Sequence, residues 1–261
     1  MPDHISNQSS APAAIILAAG KGTRMKSDLP KVCHPIGGRA MVCAVVDACR
    51  SAGCDRIVVV VGYKQELVRE ALAGEAGVEF VVQEEQLGTG HAVMMAEPAF
   101  RCEPGRDVFV LCGDGPLIRV ATLDKMLGRH RAQRAAATLA TSTIEDPAGY
   151  GRIVRDAGGR FAGIVEQKNA TPEQLAIREV NPSYYCFGAG ELFESLKRVG
   201  RNELTGEYYI TDVPALLLEA GRRVEVIDAV PPEDVLSINT PEQLAEVDRI
   251  FRSRVETEAR A

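Results

Sequence analysis

Residues Ala13–Met25 read Ala-Ala-Ile-Ile-Leu-Ala-Ala-Gly-Lys-Gly-Thr-Arg-Met, with Pro30-Lys31 following. Six residues, Ala13–Ala18, are apolar without interruption and lead into a glycine turn. An unbroken apolar run of this length suits a strand buried on both faces, as in a parallel sheet covered by helices. The turn then stands at the carboxyl end of that strand, where open α/β folds bind ligands. Gly20 and Gly22 let backbone N–H groups come close to a phosphate. Lys21, Arg24, Lys26 and Lys31 face only Asp28, a net +3 over eleven residues. That charge suits a polyphosphate; a solvated basic face on a glycine turn is the ordinary alternative. The turn is not a Walker A loop, and it lacks the third glycine of a dinucleotide fingerprint.

Outward from this turn, strand and helix patterns alternate up to Thr141. Arg39–Ala52 carries apolar residues at helical spacing and is followed by Gly53, a left-handed cap. Arg56–Val61, Val78–Val82 and Asp107–Leu111 read as strands. Gln65–Ala73, Gly90–Ala96 and Thr122–Gln133 read as helices. This alternation predicts a parallel sheet with helices on both faces. Past Thr141 the rhythm changes. Gly151–Arg155 and Phe161–Glu166 suggest a hairpin around Asp156–Gly159. Val180–Phe187 and Val224–Ala229 suggest strands; Glu191–Val199 and Asp212–Ala220 suggest helices. A last helix, 240–252, starts with Thr240 as N-cap, Pro241 at N1 and Gln243 completing a capping box. With no repeat and no linker, one domain is expected over 13–261, behind a flexible tail over 1–12.

Composition narrows the function. The 261 residues are 46% hydrophobic and 25% charged, which excludes a disordered chain. Thirty Lys and Arg against 36 Asp and Glu give a net charge of −6, so a general nucleic-acid binder is not expected. No apolar run approaches the roughly 18 residues of a membrane helix, and the polar start lacks a signal peptide's basic region. Seven cysteines, an odd number with no C-x-x-C, read as reduced thiols in a cytoplasmic protein.

Two further segments carry chemistry. Gln83-Glu-Glu-Gln-Leu-Gly-Thr-Gly-His-Ala92 is a glycine-rich turn between a strand and a helix. Its backbone at Gly88 and Thr89, with the Gln83 amide, can read a base edge, although a plain helix-entry loop has the same pattern. His91 reads as a packed or capping residue. In Val110-Leu-Cys-Gly-Asp-Gly-Pro-Leu117 an aspartate just past a buried strand is placed as for Mg²⁺, or simply closes a turn. Glu166 and Asn239 are undiagnostic alone.

Taken in order, these segments resemble the sugar-phosphate nucleotidyltransferase family. With QLGTGHA, GYGRIV, GIVEQKNAT and GEYYITD (Gly206–Asp212), they resemble one branch of it: the uridylyltransferase half of the bacterial bifunctional N-acetylglucosamine-1-phosphate uridylyltransferase/glucosamine-1-phosphate acetyltransferase. The resemblance runs from about Ala14 to Ile250. It implies a Rossmann-like α/β nucleotidyltransferase fold, with a nucleotide-binding part over about 13–141 and a smaller β-rich sugar-binding lobe over about 142–235. By the same resemblance, Leu17, Ala18, Ala19, Gly20, Gln83, Gly88, Thr89 and Gly113 contact the nucleotide. Arg24 and Lys31 sit on the phosphates. Gly151, Glu166 and Asn181 hold the amino sugar, and Asp114 with Asn239 holds Mg²⁺. The implied substrates are UTP and N-acetylglucosamine 1-phosphate; another sugar 1-phosphate, dTTP, or a non-catalytic sugar-nucleotide binder are the alternatives.

Three departures from the family pattern stand out. No hexapeptide-repeat segment is present, so an acetyltransferase half is not expected. The family's Asn-Thr-Gly is here Asn181-Pro182-Ser183. Cys112 and Gly115 replace an aromatic and a β-branched residue around the metal aspartate.

Overall fold

In the computed structural model, residues 11–25, 27–236 and 238–258 are described. Most of the expected tail, and Lys26 of the basic cluster, lie outside them. In chain order the elements are β1 (Ala13–Ala18), β2 (Pro35–Ile36), β3 (Arg39–Ala40), α1 (Met41–Ser51), β4 (Arg56–Val61), α2 (Gln65–Ala71), β5 (Val78–Val82), α3 (Thr89–Met94), α4 (Glu97–Phe100) and β6 (Asp107–Cys112). There follow α5 (Val120–Gln133), β7 (Ala137–Thr143), β8 (Gly151–Arg155), β9 (Phe161–Val165), α6 (Pro172–Leu175), β10 (Glu179–Gly188), α7 (Ala189–Leu196), α8 (Val213–Glu219), β11 (Val224–Asp228) and α9 (Pro241–Glu258).

The central sheet has the order β11-β7-β10-β6-β1-β4-β5 and is mainly parallel. β1 pairs in parallel with β4 on one side and with β6 on the other. Strand alternation sends successive side chains to opposite faces, so β1 feeds two cores. Ala14, Ile16 and Ala18 join α1, α2 and α5. Ala13 and Ile15 join α3, α4, α7 and α8. Ile15 and Ile16 are fully buried, and truncating either to alanine would cost about 2–5 kcal/mol.

β10 is the exception to the parallel rule. It runs antiparallel to β6 and β7, and its first residues also pair with β8, Asn181 opposite Gly151. A register shift between Val180 and Tyr184 lets one strand serve both partners. The β8–β9 hairpin thereby hangs from the central sheet, beside the β1 and β6 strand ends.

Local signals account for most boundaries. α1 ends in a Schellman motif: Gly53, at φ 85, donates to Arg50, and the Cys54 N–H donates to the Cys49 carbonyl at 3.0 Å. Other expectations need correction. Arg39 and Ala40 pair with Ile36 and Pro35 as a small hairpin, so α1 begins later than its apolar spacing implied. β7 lies fully within the sheet although no separate signal marked it. α9 runs on to Glu258, past the expected 252. Its capping box is displaced by one residue. The Gln243 N–H donates to Thr240 Oγ1, but Gln243 Oε1 accepts from the Asn239 N–H, not from that of Thr240. α9 also crosses the β2–β3 turn, where the Gly37 N–H donates to Asp248 Oδ1 at 2.6 Å and the Phe251 ring covers Gly37. Among the described residues, no helix is long and apolar enough to cross a membrane.

Candidate active site

Three cavities meet at the carboxyl ends of β1 and β6. The first, of about 320 Å³, is walled by Leu17, Ala18, Ala19, Gly20, Gln83, Gln86, Gly88 and Thr89. The second, of about 200 Å³, is walled by Tyr150, Gly151, Glu166, Asn181, Ser183, Tyr184 and Asp234. The third, of about 240 Å³, is lined by Lys21, Gly22, Arg24 and Asn239. Lys31 lines all three. Asp114 lines the first and second, and Arg24 and Asn239 the second and third.

Gly113 alone among the expected residues is not on a cavity wall. Its N–H donates to the Leu17 carbonyl at 2.9 Å, closing the β1–β6 seam. A Cβ there would stand 3.1 Å from that oxygen and 3.2 Å from Val32 Cγ1. The glycine is needed for close packing beneath the site.

The wall of the first cavity is built by backbone. Gly88 has φ 99, and a Cβ on it would lie 2.6 Å from the Tyr208 carbonyl oxygen. The Tyr208 N–H donates to Leu87 and the Gly90 N–H to Tyr208, both at 2.8 Å. The Ile210 N–H donates to Thr89 Oγ1 at 3.2 Å. The Gly206–Asp212 segment is thus laced alongside the Gln83–Ala92 turn, a partnership between two motifs more than a hundred residues apart that only the fold reveals. Gln83 is buried. Its Nε2 reaches the Gly88 carbonyl at 3.0 Å and His91 Nδ1 at 3.1 Å. With both amide hydrogens used internally, Oε1 is the atom Gln83 can offer to a ligand. His91 Nδ1 therefore acts as an acceptor and fixes the Gln83 amide.

Two oxygens from distant parts of the chain converge on one cation. Lys31 Nζ donates to Asp114 Oδ2 at 2.5 Å and to Asn239 Oδ1 at 3.1 Å. A carboxylate and an amide oxygen, both hard donors, fit Mg²⁺, which takes few protein ligands and fills its octahedron with phosphates and waters. The ammonium marks the position where a positive charge is held by that pair.

The second cavity is built from side chains. Burial pushes the Glu166 carboxyl up; the Thr211 hydroxyl, donating at 3.0 Å, opposes this, and the Asp212 and Glu207 carboxylates add to it. Asn181 Nδ2 donates to the Tyr185 hydroxyl at 2.6 Å, and Oδ1 accepts from the Ser183 N–H at 3.2 Å. One amide hydrogen of Asn181 is left for a ligand. Ser183 has φ 65, a left-handed conformation that costs a residue with a Cβ roughly 1–2 kcal/mol. Glycine in the related pattern takes it freely. Cys112 and Ser183 line the same cavity, so two of the three departures from the family pattern fall on one wall. Burial, with the Asp114 carboxylate adding, pushes the Cys112 thiol up to about 12. The thiol stays protonated and is a poor nucleophile.

Residues that sequence reasoning missed close this side. The Tyr150 hydroxyl donates to the Val235 carbonyl at 2.6 Å. Buried Arg152 donates to the Tyr150 carbonyl, which accounts for the arginine of GYGRIV. Asp234, 3% exposed, is gripped by Arg119 and by Arg254 of α9. For Gln86 and Glu207 the signal was their place inside QLGTGHA and GEYYITD.

Against known proteins, residues 14–200 match the family model described as a MobA-like NTP transferase domain. The bifunctional protein GlmU of Geobacter metallireducens is 50% identical over 94% of this chain and 52% of its own length. That of Pelotomaculum thermopropionicum is 48% identical over 93% and 52%, and that of Desulfotalea psychrophila 44% identical over 93% and 71%. The chain spans about half the length of the first two. A solved structure of UDP-glucose pyrophosphorylase complexed with UDP-glucose superposes with a TM-score of 0.74, covering 94% of this chain and all of that one at 17% identity. The two share a fold.

Proposed function

The chain belongs to the family of MobA-like NTP transferase domains, and on that premise we propose that it transfers a uridylyl group from UTP to N-acetylglucosamine 1-phosphate, giving UDP-N-acetylglucosamine and pyrophosphate. The carrying observation is the position of Lys31. It stands where a base-sized cavity, a basic glycine turn and a polar cavity on the β8–β10 side join, in contact with Asp114 and Asn239. The identity to GlmU proteins over more than nine tenths of the chain supports the same reading.

In this mechanism a phosphate oxygen of the sugar phosphate attacks the α-phosphorus of UTP in line, and the bond to pyrophosphate breaks. The attacking group is already anionic, so no protein nucleophile is required, and catalysis is positioning plus charge stabilisation. Gln83 Oε1 accepts from the uracil N3–H, with the Gly88 and Thr89 backbone along the base edge. Leu17–Gly20 carry the nucleoside, Arg24 follows charge onto the departing pyrophosphate, and Lys31 steadies the attacking phosphate. Gly151, Glu166 and Asn181 hold the amino sugar, Glu166 accepting from a hydroxyl. Asp114 and Asn239 would hold Mg²⁺, which when bound neutralises phosphate charge. The division into nucleotide-binding and sugar-binding parts, and a cytoplasmic location, belong to the same proposal.

A panel of nucleoside triphosphates and sugar 1-phosphates, scored by pyrophosphate release, tests this. UTP with N-acetylglucosamine 1-phosphate is expected to give the highest kcat/KM. A higher value with glucose 1-phosphate or dTTP would reassign the substrates. Tight UDP-sugar binding with no turnover on any pair would make the chain a binding protein.

A further inference from the structure

Lys31 makes two contacts that a metal ion would also need. Its Nζ is bonded at once to Asp114 Oδ2 and Asn239 Oδ1, and the Lys31 and Asp114 side chains are only 14% and 31% exposed. A divalent cation on those oxygens would sit within a few ångströms of the ammonium, where like charges repel and solvent screens them only in part. The two cations cannot share the pair. We infer that Lys31 competes with the divalent cation for Asp114 and Asn239, so that the metal enters only as the ammonium moves off to another anion.

The structure also limits where the ammonium can go. The Lys31 stem is pressed against the left-handed backbone of Gly22, where an added Cβ would lie 2.6 Å from Lys31 Cβ. Pivoting from that point, the side chain reaches the three cavities it lines. One of them carries Lys21, Gly22 and Arg24, a concentration of positive charge and a glycine turn. An isolated ammonium gains nothing by moving there. It gains only when a phosphate-bearing ligand has arrived to accept its hydrogen bonds. Nucleotide and metal are then linked, each raising the affinity of the other by the same factor. Lys31 delays cation binding until the polyphosphate is in place, in addition to any part it takes in the reaction.

This rests on Asp114 and Asn239 being the cation pair of the proposed reaction, and the test separates the two ideas. Mn²⁺, which prefers the same oxygen donors, is titrated into nucleotide-free protein, and the free ion is counted by electron paramagnetic resonance. Wild type, Lys31→Met, Lys31→Arg, Asp114→Asn and the Lys31→Met/Asp114→Asn double variant are compared, each first shown to melt cooperatively. Lys31→Met is expected to bind Mn²⁺ at least about tenfold more tightly than wild type. Lys31→Arg, which keeps the competing charge, is expected to stay near wild type, and Asp114→Asn to abolish the gain in the double variant. If Lys31→Met binds no more tightly while Asp114→Asn weakens wild type, the competition is overturned and the cation pair survives. If Asp114→Asn changes Mn²⁺ binding in neither background, the pair itself is wrong and the inference falls with it.

Discussion

The first and second cavities adjoin yet are built on opposite principles. The wall of the first is main chain: Leu87, Gly88 and Gly90 are laced to Tyr208, with glycines where any Cβ would collide. The wall of the second is largely side chain: Glu166, Asn181 and Tyr184 face it, with Asn181 held by the Tyr185 hydroxyl behind it and by the Ser183 N–H. Backbone constrains which residues fit but asks little of chemical identity beyond glycine. A side-chain network can be rewired one substitution at a time. Of the departures from the related sequence pattern, the two that fall on described residues, Asn181-Pro182-Ser183 and Cys112 with Gly115, line the second cavity, and Cys112 lines the first as well. The first cavity is thus shaped largely by main chain, and the second by side chains that single substitutions can alter.

The largest effect is expected at the seam between the two. Asp114→Ala removes the carboxylate shared by both cavities and should lower kcat by about 10²–10³, with an unchanged far-ultraviolet spectrum. Wild-type turnover in the purified variant would remove Asp114 from the chemistry. Next is Gly88→Ala, which forces the Gln83–Ala92 turn away from Tyr208. A displacement near 1 Å at a substrate-positioning element costs about 10², and the loss should appear as a raised KM for the nucleotide with the sugar phosphate little affected. An equal loss for both substrates would erase the distinction drawn between the walls.

A smaller effect is expected from Glu166→Gln. Burial holds the folded-state pKa of Glu166 above its unfolded value. The native protein then binds the proton more tightly than the unfolded chain. Stability falls as pH rises from the ordinary glutamate range through the raised folded value, and is level above it. The melting temperature of Glu166→Gln relative to wild type should therefore climb across that window and then stay constant, while sugar-phosphate KM rises. A gap independent of pH would mean Glu166 is ordinarily solvated. The smallest effect is expected at Ser183→Gly. Relief of the left-handed strain, about 1–2 kcal/mol, is largely offset by glycine's greater chain entropy, about 0.5–1 kcal/mol. Thermal denaturation should place the variant within about 1 kcal/mol of wild type on the stable side, with a shift in sugar 1-phosphate preference larger than the shift in stability.

What could be read from the sequence follows the same division. The burial of Ala13–Ala18, the Gly53 cap and the turn glycines are local: each is fixed by neighbours a few residues away, so each is visible in a short window. The pairing of Lys31 with Asp114 and Asn239 spans 83 and 208 residues. Resemblance to a known pattern suggested those residues for one site, and only the fold brings their oxygens to one nitrogen. Gly113 was suggested by resemblance alone; that a glycine is required there is set by Leu17 and Val32, which no short window of sequence shows. The bulge in β10 and the left-handed Ser183 were hidden because Pro182-Ser183 carries no glycine to announce them. The grip of Arg119 and Arg254 on Asp234 was hidden because isolated arginines on amphipathic segments ordinarily face solvent.

α9 rests near its middle on Gly37, through Asp248 and Phe251, with Asn239 just ahead of one end and Arg254 toward the other. A rod supported at that fulcrum behaves as a seesaw: tilting it would carry the Asn239 amide and the Arg254 guanidinium in opposite directions. Loosening of the Asp234 anchorage, which stands on the wall of the second cavity, would then reach the Asn239 oxygen by tilt of the helix as well as through that shared wall.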